Sequence, residues 1–170
     1  ERGREGYDAL LADLVANGRA PNRIVHLWLV TGDESHRPGG SFFHKNQEQG
    51  FYSLLFLAQA IATENLPTPV HITTLTNGAV SVRGEALSYP EKATSVGPLG
   101  VIPREMPGVT CAGIDIELNL PRKRKSETLD KLALRVLEDL VAPARNARLA
   151  YRGDRRFTQT LRKIELAGKT

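Results

Sequence analysis

The sequence predicts an α/β fold: a parallel sheet of few strands flanked by helices, ending in a C-terminal β-hairpin. Three observations predict it. Apolar runs of strand length, IVHLWLV (24–30), VHITTLT (70–76) and VTCAGIDI (109–116), recur at intervals that leave room for a helix between them. The intervening stretches carry apolar residues at helical spacing. Residues 148 to 160 read as two short strands around Gly153-Asp154.

Each element has its own warrant. In YDALLADLVAN (7–17), Leu10, Leu11, Leu14 and Val15 are expected on one helical face, with Gly18 as the stop. IVHLWLV is continuously apolar, as a strand covered on both faces should be. TGDESHRPGGS (31–41) is loop chemistry. A helix is expected from 46 to 64, with Phe51, Leu54, Leu55, Ala58, Ile61 and Ala62 as its stripe and Pro67 beyond its end. VHITTLT is rich in β-branched residues, and Asn77-Gly78 begins an irregular stretch. A helix from 91 to 105 leads to Pro107-Gly108 and the strand VTCAGIDI. Ser126 is expected to cap a last helix, 127 to 142, with the stripe Leu129, Leu132, Val136, Leu137, Leu140 and Val141, stopped by Pro143. Strands alternating with helices imply right-handed crossovers and a parallel sheet, hence a Rossmann-type arrangement.

The bulk numbers exclude some classes. At 170 residues the chain makes one domain or most of one. It can bury about 70% of its unfolded surface without staples. A hydrophobic share of 41% and a charged share of 25% are ordinary for a globular protein. The net charge of +4 says little about partners. One cysteine, Cys111, excludes an internal disulfide and suits a reducing cytoplasm. No run is long enough to span a membrane, and ERGREGYDALL has no signal-peptide centre. The chain opens without methionine inside a helical pattern, so it is expected to be part of a longer protein.

The chemistry expected of such a sheet is mostly missing from the sequence. A dinucleotide site needs G-x-G-x-x-G between a strand and a helix, and no such string occurs. Gly97 and Gly100 lie in or beside a helix, and Gly39-Gly40 fall in a loop. The terminal AGKT imitates a phosphate loop, but the first glycine would have to stand at Lys163. SYPEKATSVG (88–97) outlines a reductase Tyr/Lys pair. Such a pair shares a helical face at a spacing of four, whereas Tyr89 and Lys92 are three apart, and Pro90 forces Tyr89 into extended backbone. Both are therefore read as loop and surface residues.

Metal and nucleophile readings are no stronger. His36 and His44 share a loop without ligand spacing, and His26 and His71 are read as packed strand residues. Cys111 reads as a small hydrophobe in a central strand. Asp115 stands near a strand's C-terminal end, where α/β sheets place function, but is read as a capping or salt-bridging residue. PRKRK (121–125) has no interleaved aromatics and is read as a solvated loop rather than a nucleic-acid patch. The basic tail, with Tyr151 and Phe157 along the hairpin, is read as an edge or as the lining of a surface for an acidic partner.

Taken together, IVHLWLVTG (24–32), FYSLLFLAQAIA (51–62), HITTLTNGAVSV (71–82), PEKATSVGPLGVIPREMPGVTCAGIDIE (90–117) and YRGDRRF (151–157) carry a resemblance. They resemble the N-terminal, structural subdomain of the ketoreductase region of modular or iterative type I polyketide synthases, from about residue 7 to 164. The resemblance implies a truncated, short-chain-dehydrogenase-like Rossmann subdomain over 1–147, and a hairpin and linker over 148–170 leading toward a catalytic half. That half would bind NADPH, carry the catalytic Ser, Tyr and Lys, and reduce a β-ketoacyl thioester on an acyl carrier protein.

Where the active half has its serine, this chain has Thr74, Thr76 and Asn77, and Ser81 is too far along. No catalytic, cofactor-binding or metal-binding residue is carried over to this chain. The family's half usually begins with a further strand–helix–strand portion, so a sheet edge and an apolar face are expected to be exposed here. The implied partners are the catalytic ketoreductase subdomain and neighbouring synthase domains, with acyl carrier protein indirectly. Three alternatives stay open: a pseudo-ketoreductase brace for a methyltransferase or enoylreductase, a divergent short-chain dehydrogenase, and a basic nucleic-acid-binding module.

Overall fold

Among the described residues five strands form one sheet, in the order β1-β2-β3-β4-β5. The structure, a computed structural model, describes residues 3–32, 40–118 and 125–164. Helix α1 (Arg4–Ala16) precedes β1 (Arg23–Leu29). Then α2 (Gly40–Gln47), a π-helical turn (Glu48–Tyr52) and α3 (Ser53–Thr63) lead to β2 (Val70–Asn77). A 3-10 turn (Pro90–Ser95) runs into α4 (Val96–Glu105), followed by β3 (Val109–Ile116), α5 (Lys125–Val141), β4 (Ala147–Arg152) and β5 (Arg155–Thr158). Strands β1 to β4 pair in parallel, and β5 returns antiparallel on β4. The expected α/β architecture with a terminal hairpin is the one observed.

The pleat sorts side chains to two faces. On one, Val70 and Ile72 of β2 and Val109 and Cys111 of β3 pack under Leu11 of α1, Leu54, Leu57 and Ile61 of α3, and Leu99 and Ile102 of α4. On the other, Leu75, Ile114, Ile116, Leu149 and Tyr151 meet Val136 of α5. All eight residues of β2 are buried, as a central strand between two helical layers requires.

Several expectations are corrected. Strand β1 is not covered on both faces: it is an edge, and Val25, Leu27 and Trp28 are 42%, 53% and 60% exposed. In α1 only Leu11 is buried, with Tyr7 and Leu14 beside it, while Leu10 and Val15 face outward. A lone surface helix needs only the narrow i, i+4, i+7 stripe.

The helix expected to begin at 46 begins at Gly40 and takes a π-helical turn midway. Within that turn a Cβ on Gly50 would stand 3.0 Å from Leu29 Cδ1, so any larger residue there needs the Leu29 side chain to give way. The helix expected from 91 opens at Pro90 as a 3-10 turn. Helix α5 starts at Lys125, which puts Ser126 inside its first turn rather than at its cap. Of the α5 stripe, Val136 is buried, but Leu137 and Val141 are exposed.

Candidate functional site

Open α/β sheets work at the C-terminal ends of their strands, so the ends of β1, β2 and β3 come first. Asn77 closes β2, and its side chain grips Thr31, two residues past the end of β1. Its Nδ2 donates to the Thr31 carbonyl at 3.0 Å, and the Thr31 N–H donates to its Oδ1 at 3.0 Å. Gly78 (φ +72°) then turns the chain, and a Cβ there would meet Ser88 Cβ at 2.9 Å and Tyr89 Cδ2 at 3.0 Å. The Tyr89 N–H returns to the Gly78 carbonyl at 2.9 Å. As Pro90 dictates, Tyr89 lies outside the helix, with φ −141° and ψ 69°.

Lys92 is the main correction at the residue level. It is not a surface residue but fully buried. Its Nζ donates to Thr31 Oγ1 at 2.7 Å and to Asn77 Oδ1 at 2.8 Å, with the Asn77 carbonyl at 3.4 Å. The ammonium also lies 4.2 Å from the centroid of the Tyr89 ring, so the tyrosine offers it a π-face. The sequence outline of a Tyr/Lys pair is thus brought together in space, though in a closed arrangement. A free lysine defaults to the surface, and nothing in the string names the Thr31 and Asn77 oxygens that let this one be buried.

Asp115 and Arg152 form the second cluster, the salt-bridging role expected for Asp115. Asp115 Oδ1 accepts from Thr76 Oγ1 at 2.6 Å and from the Ala79 N–H at 3.0 Å, while Oδ2 accepts from Arg152 Nη2 at 2.7 Å. Arg152 also donates to Glu85 Oε1 at 2.9 Å and to the Val80 carbonyl at 2.6 Å, tying the 79–85 loop to the sheet. Glu85 is held down at about 2, first by the Val82 N–H, then by Arg152 and the Arg83 N–H. Burial disfavours the charge on Arg152, but the Glu85 and Asp115 carboxylates outweigh it and raise its pKa. These bonds tie the loop to the ends of β3 and β4, which is structural work.

The remaining candidates sit in the core. His26 Nε2 lies 2.6 Å from Ser53 Oγ, whose own hydrogen goes to the Gln49 carbonyl at 2.7 Å. Ser53 must therefore accept, and His26 is the neutral Nε2–H tautomer. His71 Nδ1 pairs with Thr110 Oγ1 at 2.7 Å. Cys111 is fully buried, and burial pushes its thiol up to about 11, which leaves it inert as a nucleophile. Tyr151 is no partner-facing edge residue: it is buried, its hydroxyl donating to Asp139 Oδ2 at 2.6 Å, and burial followed by that carboxylate lifts it to about 12. Phe157 stacks under the Arg83 guanidinium.

Ser81 is exposed, bonded to the Glu85 carbonyl, and Gly97 and Gly100 lie within α4. No group of three or more metal-ligating side chains occurs among the described residues. Residues 33–39, 119–124 and 165–170, which include His36, most of PRKRK and the AGKT end, lie outside the described residues.

One family and three solved structures are similar to this chain. The family described as "Beta-ketoacyl synthase-like, N-terminal" matches residues 2–129. A structure titled "Adenylation, ketoreductase, and pseudo Asub multidomain structure of a keto acid-selecting NRPS module" is similar at 25% identity and TM-score 0.71, over 93% of this chain and 13% of that one. An N-terminal ketoreductase from the macrolactin assembly line matches at 20% identity and TM-score 0.61, over 99% of this chain and 32% of that one. A C2-type ketoreductase from a modular polyketide synthase matches at 22% and 0.58, over 91% and 30%. This chain therefore spans a third or less of the length of each of these three proteins. The fold alone is also shared with a short-chain dehydrogenase from Mycobacterium avium, at 13% identity and TM-score 0.61. Among curated proteins none matches. The family's name speaks of a synthase, while the solved structures that share the fold of this chain contain ketoreductases. The chain belongs to the beta-ketoacyl synthase-like N-terminal family, and its fold is that of a ketoreductase region.

Proposed function

We propose that the chain is a non-catalytic scaffold subdomain of a polyketide synthase ketoreductase region. It would act in the cytoplasm, bracing an NADPH-dependent half that reduces a β-ketoacyl thioester carried on acyl carrier protein. The observation that carries the reading is the closed state of Lys92. A reductase lysine has to present its ammonium to the cofactor ribose and to a phenolate. Here Nζ is sealed from solvent, with Thr31 and Asn77 oxygens as acceptors and the π-face of Tyr89 beside it.

The open edge of β1 supports the bracing half of the proposal. Val25, Leu27 and Trp28 leave apolar surface bare on a strand with one unpaired side, which a neighbouring element would cover.

The test is a titration of the 170-residue chain with NADPH, followed by nicotinamide fluorescence, with a β-ketoacyl thioester assay alongside. The expected result is no saturable signal and no turnover. Micromolar binding, or turnover abolished by Tyr89→Phe, would mean a divergent dehydrogenase instead. A second reading keeps the same scaffold role but places it in a nonribosomal peptide synthetase. It is favoured by the 25% identity to the ketoreductase-containing module of the keto acid-selecting enzyme.

A further inference from the structure

A cavity of about 480 Å³ opens on the sheet face beside α4. Its floor is one register row across three strands, with Thr74 opposite Gly113 and Gly113 opposite Arg148. Val96 and Leu99 of α4 form one wall, and Phe157 of β5 forms another. Because Gly113 has no side chain, Arg148 leans into the gap. A Cβ on Gly113 would stand 3.3 Å from Arg148 Cδ and 3.8 Å from Nε. The arginine stem thereby lies over the sheet, and the side chain is half-buried.

Its charge is uncompensated there. Among the described residues the guanidinium makes one hydrogen bond, to the neighbouring Ala147 carbonyl at 3.1 Å. Among the described residues no carboxylate pairs with it. The Cys111 thiol nearby is neutral, since burial lifts it to about 11. Asp115 also borders the cavity, but its carboxylate is held by Arg152 at 2.7 Å. Burial lowers the pKa of Arg148, as expected for a desolvated cation without a counter-ion. At the other end of the row, Thr74 Oγ1 is fully buried and has no hydrogen-bond partner. A half-buried cation without an ion-pair partner among the described residues and an unpartnered buried hydroxyl are both costly, and both residues line one cavity.

We propose that this cavity binds a small carboxylic acid with an apolar chain, the carboxylate pairing with Arg148 and the chain lying against Val96, Leu99 and Phe157. A planar guanidinium fork matches a carboxylate in two parallel hydrogen bonds, whereas one cation would leave a doubly charged phosphate half-compensated. The volume falls within the range of roughly 300–1,000 Å³ typical of small-molecule sites. Thr74 is sealed as the structure stands, and a modest lift of the Arg148 arm off Gly113 would let its hydroxyl donate to the second carboxylate oxygen. The chain's own Leu161, 98% exposed just past the cavity rim, is the rival occupant. An alkyl side chain would leave Arg148 unpaired, which favours the acid. This inference is independent of the scaffold reading.

The probes are octanoate and 1-octanol, titrated into the 170-residue chain at constant ionic strength and followed by amide shifts at Gly113 and Ala150. Octanoate is expected to saturate a single site at least about tenfold more tightly than octanol, the usual advantage of a charge-assisted hydrogen bond. Arg148→Met, which keeps the apolar stem, should erase that preference while leaving octanol binding and the fold intact. Thr74→Val should weaken octanoate a few-fold and raise the melting temperature of the free chain, because it removes an unpartnered hydroxyl. Equal affinity for the two probes, no saturation by either, or a preference that survives Arg148→Met would each overturn the proposal. If Leu161→Ser then opens the cavity to octanol and octanoate alike, it belongs to the chain's own tail.

Discussion

His26 shows how a single side chain couples the strand to the helix above it and makes the fold sensitive to pH. Its Nε2–H reaches Ser53 Oγ and its Nδ1 has no partner, so protonation would place a charge against apolar surroundings. Burial accordingly lowers its pKa from 6.5 to about 4. His71 moves in the same direction, through burial and then the nearby Arg23. The folded state therefore binds fewer protons than the unfolded one between these values, and stability present above about pH 6.5 is lost as pH falls toward 4. For His26 the loss amounts to roughly 3 kcal/mol at about 1.4 kcal/mol per unit. Urea unfolding at stepped pH should show this decline, and His26→Gln should flatten much of it. A profile as steep in the variant as in the parent would assign the effect elsewhere. Glu85, held at about 2, contributes its own loss only at lower pH, so the two windows separate.

The helix that follows β1 is the least regular element, and its irregularity has a local cause. Gly50 sits in the π-helical turn with Leu29 Cδ1 at 3.0 Å from where a Cβ would be, and Leu29 itself is fully buried. Ser53, next along, turns its hydroxyl back on the Gln49 carbonyl and so satisfies an acceptor within the widened turn. Gly50→Ala gains helix propensity of about 1 kcal/mol but must push Leu29 aside, a steric cost of typically 1–3 kcal/mol. The expected outcome is a net loss of stability by thermal unfolding, recovered in part by adding Leu29→Val. A more stable single variant would show that the turn yields freely. The 3-10 turn at Pro90 plays a comparable part, since it rotates Lys92 inward toward Thr31 and Asn77.

On the scale of the whole molecule, the sheet is asymmetric. Its centre is buried on both faces, while β1 leaves Val25, Leu27 and Trp28 bare, and α5 shows Leu134, Leu137 and Val141 to solvent. Exposed apolar side chains on an unpaired edge favour association. The isolated chain is expected to self-associate at micromolar to millimolar concentration, with the emission of its one tryptophan, Trp28, shifting to shorter wavelength. Leu27→Glu should keep it monomeric in sedimentation without lowering its melting temperature appreciably, because that side chain is already half exposed. If the variant associates as the parent does, the contact lies elsewhere.

Element type and order were legible in the sequence because they rest on local periodicity. Two strands, VHITTLT and VTCAGIDI, are found within a residue of their expected bounds, and the hairpin turns at Gly153-Asp154 as its chemistry demands. That Tyr89 stays out of the helix followed from Pro90 alone, although its ψ of 69° stops short of the extended backbone expected. What only the tertiary structure decided are the properties set by neighbours distant in the chain. IVHLWLV reads as a buried strand, but its position at the sheet edge leaves one face bare. Lys92 reads as a surface lysine, but residues 15 and 61 positions away supply its oxygens. Arg148, a charge in a basic tail by sequence, lies over the sheet because Gly113, on another strand, leaves room for it. Periodicity is written along the chain, whereas burial and pairing belong to contacts that exist only once the chain has closed.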